Sequence, residues 1–181
     1  MSDESHNADR KRNIHAPWRI EYIESLGNDD GCFLCNARQQ EGKDEENLLL
    51  WRTDRCIVVM NKFPYTAGHL LVAPAAHVGN LADLPGEVLL EIMELTRDGT
   101  VLLTETIGAE GFNVGMNVGR CAGAGLPGHL HLHVVPRWQA DTNFMAVLGD
   151  VRVIPESLSR LRRKLLAKAE ELKIPVAVYG R

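Results

Sequence analysis

The sequence predicts an α+β domain, an antiparallel sheet of about five strands with two main helices packed on one face. Three observations carry this. Short runs rich in apolar and β-branched residues, bounded by Pro, Gly or Asn, recur at strand length. One long helical periodicity divides them, and a second follows near the end of the sequence. The order is strands, helix, strands, helix, without the regular strand–helix alternation of a parallel sheet.

Residues 1–16 are polar and of mixed charge, and are expected to form a disordered tail. Trp18 to Leu26 mixes apolar and charged residues and starts an ordered arm. Asn28-Asp29-Asp30-Gly31 is a turn, followed at once by Cys32-Phe-Leu-Cys35. Residues 36–47 read as helix or loop. Leu48–Thr53 and Cys56–Asn61 read as strands; Ile57, Val58 and Val59 suit a pleated, half-buried surface. Lys62–Gly68 is a loop centred on Pro64, and His69–Ala73 is a strand stopped by Pro74.

Pro85 opens a helix, because its missing N–H is an orphan in a first turn anyway. From Glu87 to Ile107 apolar residues fall at helical spacing, Gly99 interrupts them, and Gly108 ends the run. Gly111–Val118 is a strand, 119–128 a loop of glycine and alanine, and His129–Val135 a strand ended by Pro136. The last helix is Glu156–Leu172, with Leu158, Leu161, Leu165, Leu166 and Ala169 on one stripe. Its basic residues Arg160, Arg162, Arg163 and Lys164 read as a solvated face.

At 181 residues and 45% hydrophobic content the chain suits one domain with terminal extensions. A net charge of −4 disfavours a protein that coats a nucleic-acid polymer, but leaves room for a small anionic ligand in a locally positive pocket. The first residues lack the basic start and apolar run of a signal peptide, and no run approaches the ~18 apolar residues of a membrane span. The expectation is a cytoplasmic protein with no membrane partner and with reduced thiols. The four cysteines are then not a disulfide framework, and Cys56 and Cys121 read as small buried hydrophobes.

His129-Leu-His131-Leu-His133-Val-Val135 is the most informative stretch. In a strand, alternate side chains share a face. Three imidazoles then stand in a row, about 7 Å apart along the strand. Such a row is poor core material, since each ring needs polar partners. Three readings are open: a chance polar face, a metal site made of all three, or nucleophilic and acid–base work. Imidazole is neutral or charged near neutral pH, so neighbouring rings can take different roles. The flank favours the third reading. Gly119–Gly128, including Gly123 and Gly125, lets backbone N–H groups approach an anion closely. Asn113 and Asn117 share a face of the preceding strand. Asn117 is placed to donate to a phosphate, whereas Asn113 reads as a strand-edge polar residue.

His-Leu-His-Leu-His-Val-Val resembles the signature of the histidine triad family. The upstream stretch from Val58 through Asn61, Gly68, His69 and Pro74 to His77 is similar to that family as well. Gly111–Asn117 and Val135-Pro-Arg-Trp138, running on to Asp141–Phe144, look most like its diadenosine polyphosphate hydrolase and phosphorylase branch. The resemblance implies the histidine triad fold over 17–145, with 146–181 as a C-terminal helical extension. It implies a nucleotidyl-transfer enzyme: His131 attacks the α-phosphorus of a nucleoside polyphosphate, and water or phosphate releases the nucleotide. A nucleoside phosphoramidase and a non-catalytic nucleotide-binding scaffold are the alternatives. His133 contacts the phosphate or the departing oxygen, with His129 and Asn117 beside it. Asn61 is expected at the ribose hydroxyls, His69 as a supporting histidine, Phe33, Val59 and Met60 around the base and Gly125 near the phosphates. Trp138 either stacks at the rim or anchors the core. Arg137 either meets the polyphosphate or forms a structural pair. The resemblance also implies a homodimer and no organic cofactor.

The C-x-x-C pair follows an Asp-Gly turn and lacks the βαβ setting of a redox motif. It supplies two of the four ligands that zinc takes. Some bacterial relatives add two histidines, at the positions of His77 and His129. Cys32, Cys35, His77 and His129 are therefore expected to hold a structural Zn²⁺, with free thiols as the alternative.

Overall fold

The structure, a computed structural model, describes residues 31–141 and 156–174. The expected tail at 1–16, the arm at Trp18–Leu26 and the domain junction near 145 lie outside the described residues. In chain order the elements are helix α1 (Phe33–Gln39), strands β1 (Leu49–Arg52), β2 (Cys56–Met60) and β3 (Leu70–Pro74), helix α2 (Gly86–Ile107), strands β4 (Gly111–Met116) and β5 (Leu132–Arg137), and helix α3 (Leu158–Glu171). The strands form one antiparallel sheet in the order β1-β2-β3-β5-β4. The expected fold class is the one observed. Among the described residues no helix is long and apolar enough to cross a membrane.

Strand parity sorts the side chains into two cores. Val58 and Met60 of β2, Leu70 and Val72 of β3, and Leu132 and Val134 of β5 enter the larger one. There they meet Ile92, Leu95, Leu102 and Leu103 of α2 and Leu161, Leu165 and Ala169 of α3. Ile57, Val59, Leu71 and Ala73 point the other way and pack on Leu34 and Ala37 of α1. The two main helices thus share a face, as expected, and the short α1 covers part of the second. Coverage on both faces explains why every residue of β2 and β3 is buried.

Helix α2 starts after Pro85 and ends at Gly108, whose φ of 63° is left-handed and whose N–H bonds the Thr104 carbonyl. Gly99 costs helix propensity, but a Cβ there would stand 3.3 Å from Leu70 Cδ1, so its absence lets α2 sit close to β3. Arg162 departs from the expected solvated face. It is buried, and its Nε donates to the Leu49 carbonyl at 2.6 Å. The β1–β2 register shifts between Leu49 and Trp51, and the long apolar stem of Arg162 crosses the helix stripe to reach that carbonyl. Cys56 is buried as expected, but Cys121 is exposed, because its loop carries no core face.

The histidine strand is shifted from its expected bounds. It starts at Leu132, after His129 and His131, and runs through Pro136 to Arg137. Pro136 is tolerated because β3 pairs with β5 only up to Val134. On that side the Pro136 carbonyl instead accepts from Thr66 Oγ1 at 3.0 Å, so no ladder donor is missing.

Gly68 closes the loop between β2 and β3 with a φ of 82°, and a Cβ there would stand 2.7 Å from Ile107 Cδ1 and 2.8 Å from Leu103 Cδ2. Both the backbone conformation and the space demand glycine. Gly68→Ala is expected to cost about 1–3 kcal/mol. Urea unfolding checks it: the midpoint should fall with an unchanged m-value.

Candidate active site and metal centre

His131 is 7% exposed, and its Nδ1 lies 2.8 Å from the carbonyl oxygen of His129. A carbonyl only accepts, so Nδ1 carries the proton and Nε2 presents a lone pair. Burial pushes the His131 imidazole below its ordinary value, partly opposed by that same hydrogen bond.

His133 is fixed by a short relay. The Tyr65 backbone N–H donates to His69 Nδ1 at 3.1 Å, and Asn61 Nδ2 lies 3.2 Å from the same atom. His69 Nδ1 is therefore an acceptor, and Nε2 carries the proton. That Nε2 lies 2.9 Å from His133 Nδ1, which must accept it. Neutral His133 then holds its own proton on Nε2, a buried atom with no hydrogen-bond partner among the described residues. The rings of His131 and His133 are 5.0 Å apart, edge to face. Burial, then the neighbouring His131, pushes the His133 pKa down to about 4.

His129 belongs to a second group. Its Nε2 donates to the Pro74 carbonyl at 2.9 Å, which leaves the Nδ1 lone pair facing two thiols. Cys32 Sγ is 3.1 Å away and Cys35 Sγ 3.5 Å, while Cys35 lies 3.3 Å from His77 Nδ1. The four ligand atoms lie within 4.8 Å of one another. Tetrahedral zinc would set sulfur and nitrogen ligands about 3.6 Å apart, so the donor set fits a closed metal centre. Cys32 caps α1 and Cys35 lies in its first turn. His77 is brought in by the chain beyond β3, where the Leu130 N–H bonds the Val78 carbonyl at 2.7 Å. A Cβ on Gly79 would stand 2.8 Å from the Pro127 carbonyl, so that close approach needs a glycine.

The three histidines are thus not a polar row on one strand. His129 and His131 precede β5 and are buried with polar partners, and His129 turns to the thiols. Asn117 directly follows β4, one residue past the Met116–Leu132 pair that ends the β4–β5 ladder. Gly125 is half-buried in the connecting loop. Asn61 Oδ1 accepts from the Phe63 N–H at 2.9 Å and Nδ2 faces His69 Nδ1 at 3.2 Å, which uses one donor and one lone pair of the amide. Met60 lies in the helix-side core, the opposite parity from His133, and Val59 rather than Met60 shares the histidine face. Trp138 packs against the same core and donates from Nε1 to the Ile107 carbonyl at 3.3 Å, so within this chain it is an anchor rather than a rim residue. Arg137 forms the structural pair, bonding Asn113 Oδ1 and Asp141 Oδ1, each at 2.8 Å. Sequence reasoning missed Tyr65. Its ring lies nearly parallel to His133, 5.9 Å away, and it orients His69 through a backbone N–H that has no compositional signature.

Known proteins share this architecture. A family model described as "HIT domain" matches residues 43–140. A Mycobacterium tuberculosis protein named AP-4-A phosphorylase is 42% identical over 122 residues, a stretch that takes in 67% of this chain and 63% of that protein. The matched stretch is therefore less than two thirds of that relative. Among solved structures, a Zn-bound histidine triad family protein from Mycobacterium smegmatis is 25% identical with a TM-score of 0.64, over 80% of this chain and 97% of that one. A hypothetical histidine triad nucleotide-binding protein from Sulfolobus tokodaii shares the fold at 24% identity, with a TM-score of 0.63 over 83% of this chain and 99% of that one. With the family model matched over more than half its length, this chain belongs to the HIT-domain family.

Proposed function

We propose that this chain cleaves dinucleoside polyphosphates of the diadenosine tetraphosphate kind through a nucleotidyl-histidine intermediate on His131. One observation carries the reading. His131 has its Nδ1 proton tied to a carbonyl and its Nε2 lone pair available, beside a His133 whose Nε2 proton has no partner. The likeness to a protein named AP-4-A phosphorylase supports the substrate class.

In this reading His131 Nε2 attacks the α-phosphorus. A P–N bond forms and the P–O bond to the rest of the polyphosphate breaks. The departing oxygen accepts a hydrogen bond from His133 Nε2 and leaves as the anionic end of the released polyphosphate. His69, held by Tyr65 and Asn61, keeps His133 in the tautomer that this demands. Asn117 and the loop carrying Gly125 receive the phosphate oxygens. Water or inorganic phosphate then attacks phosphorus, and the P–N pair returns to His131. Asn61 and His69 are positioning residues, since their polar atoms face other protein groups.

We also propose Zn²⁺ as the ion for Cys32, Cys35, His77 and His129. Two thiols and two imidazoles near tetrahedral spacing suit zinc, and the solved relative from Mycobacterium smegmatis is Zn-bound. Four protein ligands leave no open position, so the ion supplies a cross-link between α1, the segment after β3 and the start of the histidine stretch.

Four measurements check these readings. His131→Ala should keep nucleotide binding and lose turnover by on the order of 10⁴-fold or more. An alkaline quench of wild type with α-phosphate-labelled substrate should trap label on His131. A wild type that releases no nucleotide and traps no P–N adduct would sink the reading. Elemental analysis should find equimolar zinc, absent from Cys32→Ser; metal-free protein with full stability and turnover would count against the centre. The fourth measurement is pH-dependent stability. The folded His133 value lies below 6.5, so between pH 6.5 and about 4 the unfolded chain binds more protons and stability falls as the pH drops. His133→Gln should make that slope shallower, and an unchanged slope would contradict the assigned burial effect.

A further inference from the structure

The proposed substrate is a polyanion, yet the histidine group offers it no fixed positive charge. His131 must present a lone pair, and the neutral form of His133 is favoured by burial. Arg137 is the cation nearest the triad in sequence, and it is held by Asn113 and Asp141. The phosphates beyond the α position therefore need a cation from another part of the fold.

The described arginines single one out. Arg38, Arg52, Arg55 and Arg97 each hold a backbone carbonyl or a carboxylate, as does Arg137. The three arginines of α3 do the same. Arg120 is the exception among the described arginines: it is exposed, and although its carbonyl accepts from the Gly123 N–H at 3.0 Å, its guanidinium makes no hydrogen bond or ion pair with a described residue. A guanidinium bound to nothing in the fold keeps all five donors for a ligand.

Its position suits a phosphate chain. Arg120 opens the short turn Arg120–Ala122, flanked by Gly119 and Gly123, each with a φ of 82°. Those left-handed positions fix the path of the loop. The loop leaves β4 at Asn117 and returns at His129. Three residues of chain span at most about 11 Å, and a long side chain closes part of that.

We infer that Arg120 is the specificity residue for the polyphosphate chain, its guanidinium taking the phosphates beyond the one attacked by His131. A planar fork matches phosphate oxygens two at a time, which a lysine does as a point charge only. The inference rests on the dinucleoside polyphosphate reading above.

The test uses two substrates on the full chain: diadenosine tetraphosphate, and adenosine 5′-monophosphoramidate, which has no phosphate beyond the α position. Arg120→Gln should raise KM for the tetraphosphate roughly 10-fold or more, with kcat within about twofold. The phosphoramidate should be turned over as by wild type. Arg120→Lys should recover part of the lost affinity, and the melting temperature of both variants should match wild type. A KM for the tetraphosphate within about twofold of wild type would overturn the inference, as would equal losses on both substrates, the sign of a structural role. If wild type turns over neither substrate, the underlying reading falls and takes this one with it. If wild type turns over both and Arg120→Gln behaves identically, only the role of Arg120 falls.

Discussion

Much of the site depends on one backbone carbonyl. The oxygen of His129 accepts the Nδ1 proton of His131, and that single bond decides which imidazole nitrogen is left to act. The residue that supplies it is itself held at both ring nitrogens, by the Pro74 carbonyl on one side and the two thiols on the other. His129 therefore serves two neighbourhoods at once, through its side chain in one and its main chain in the other. The end of β3, the start of α1 and the approach to β5 all converge on it.

The same logic of fixed donors and acceptors sets His133. A peptide N–H cannot accept, so Tyr65 forces His69 to receive at Nδ1, and the remaining tautomers follow in turn. Neither relay uses a carboxylate; both are anchored by peptide groups in buried surroundings. Both rings are thereby biased towards their neutral forms, in keeping with the downward shifts that burial imposes. Under the proposed polyphosphate reading, the complementary charge comes from outside this shell, and the arginine of the neighbouring loop is the group inferred to supply it.

Much of this was legible in the residues. Alternating apolar residues and turn punctuation marked the five strands, and the long periodicity from Glu87 marked α2. The C-x-x-C pair and the two distant histidines do meet. What escaped was set by tertiary context. Met60 and Val59 are adjacent and both apolar, so only the register of β2 against β3 says which faces the histidines. Pro136 looked like a strand terminator, but β3 had already ended on that side. Arg162 looked solvated until the bulge in β1 left a carbonyl within its reach. The hydrogen bond from Asn61 towards His69 depends on how the loop after β2 folds back, which composition does not show. Backbone donors such as Tyr65 N–H leave no trace in composition at all.

The strand order has a consequence for how the molecule is assembled. Among the described strands β5 is the last in sequence, yet it lies between β3 and β4. A chain emerging from its N-terminus can pair β1, β2 and β3 as a meander, but the sheet stays split until β5 inserts. The thiol of Cys32 and the ring of His129 are 97 positions apart, so the metal ligands are gathered by the same late closure. Long-range closures of this kind are entropically costly and slow. The ladder that joins β3 to β4 exists only once β5 is in place, so protection of its peptide N–H groups against exchange during refolding marks the completion of the sheet.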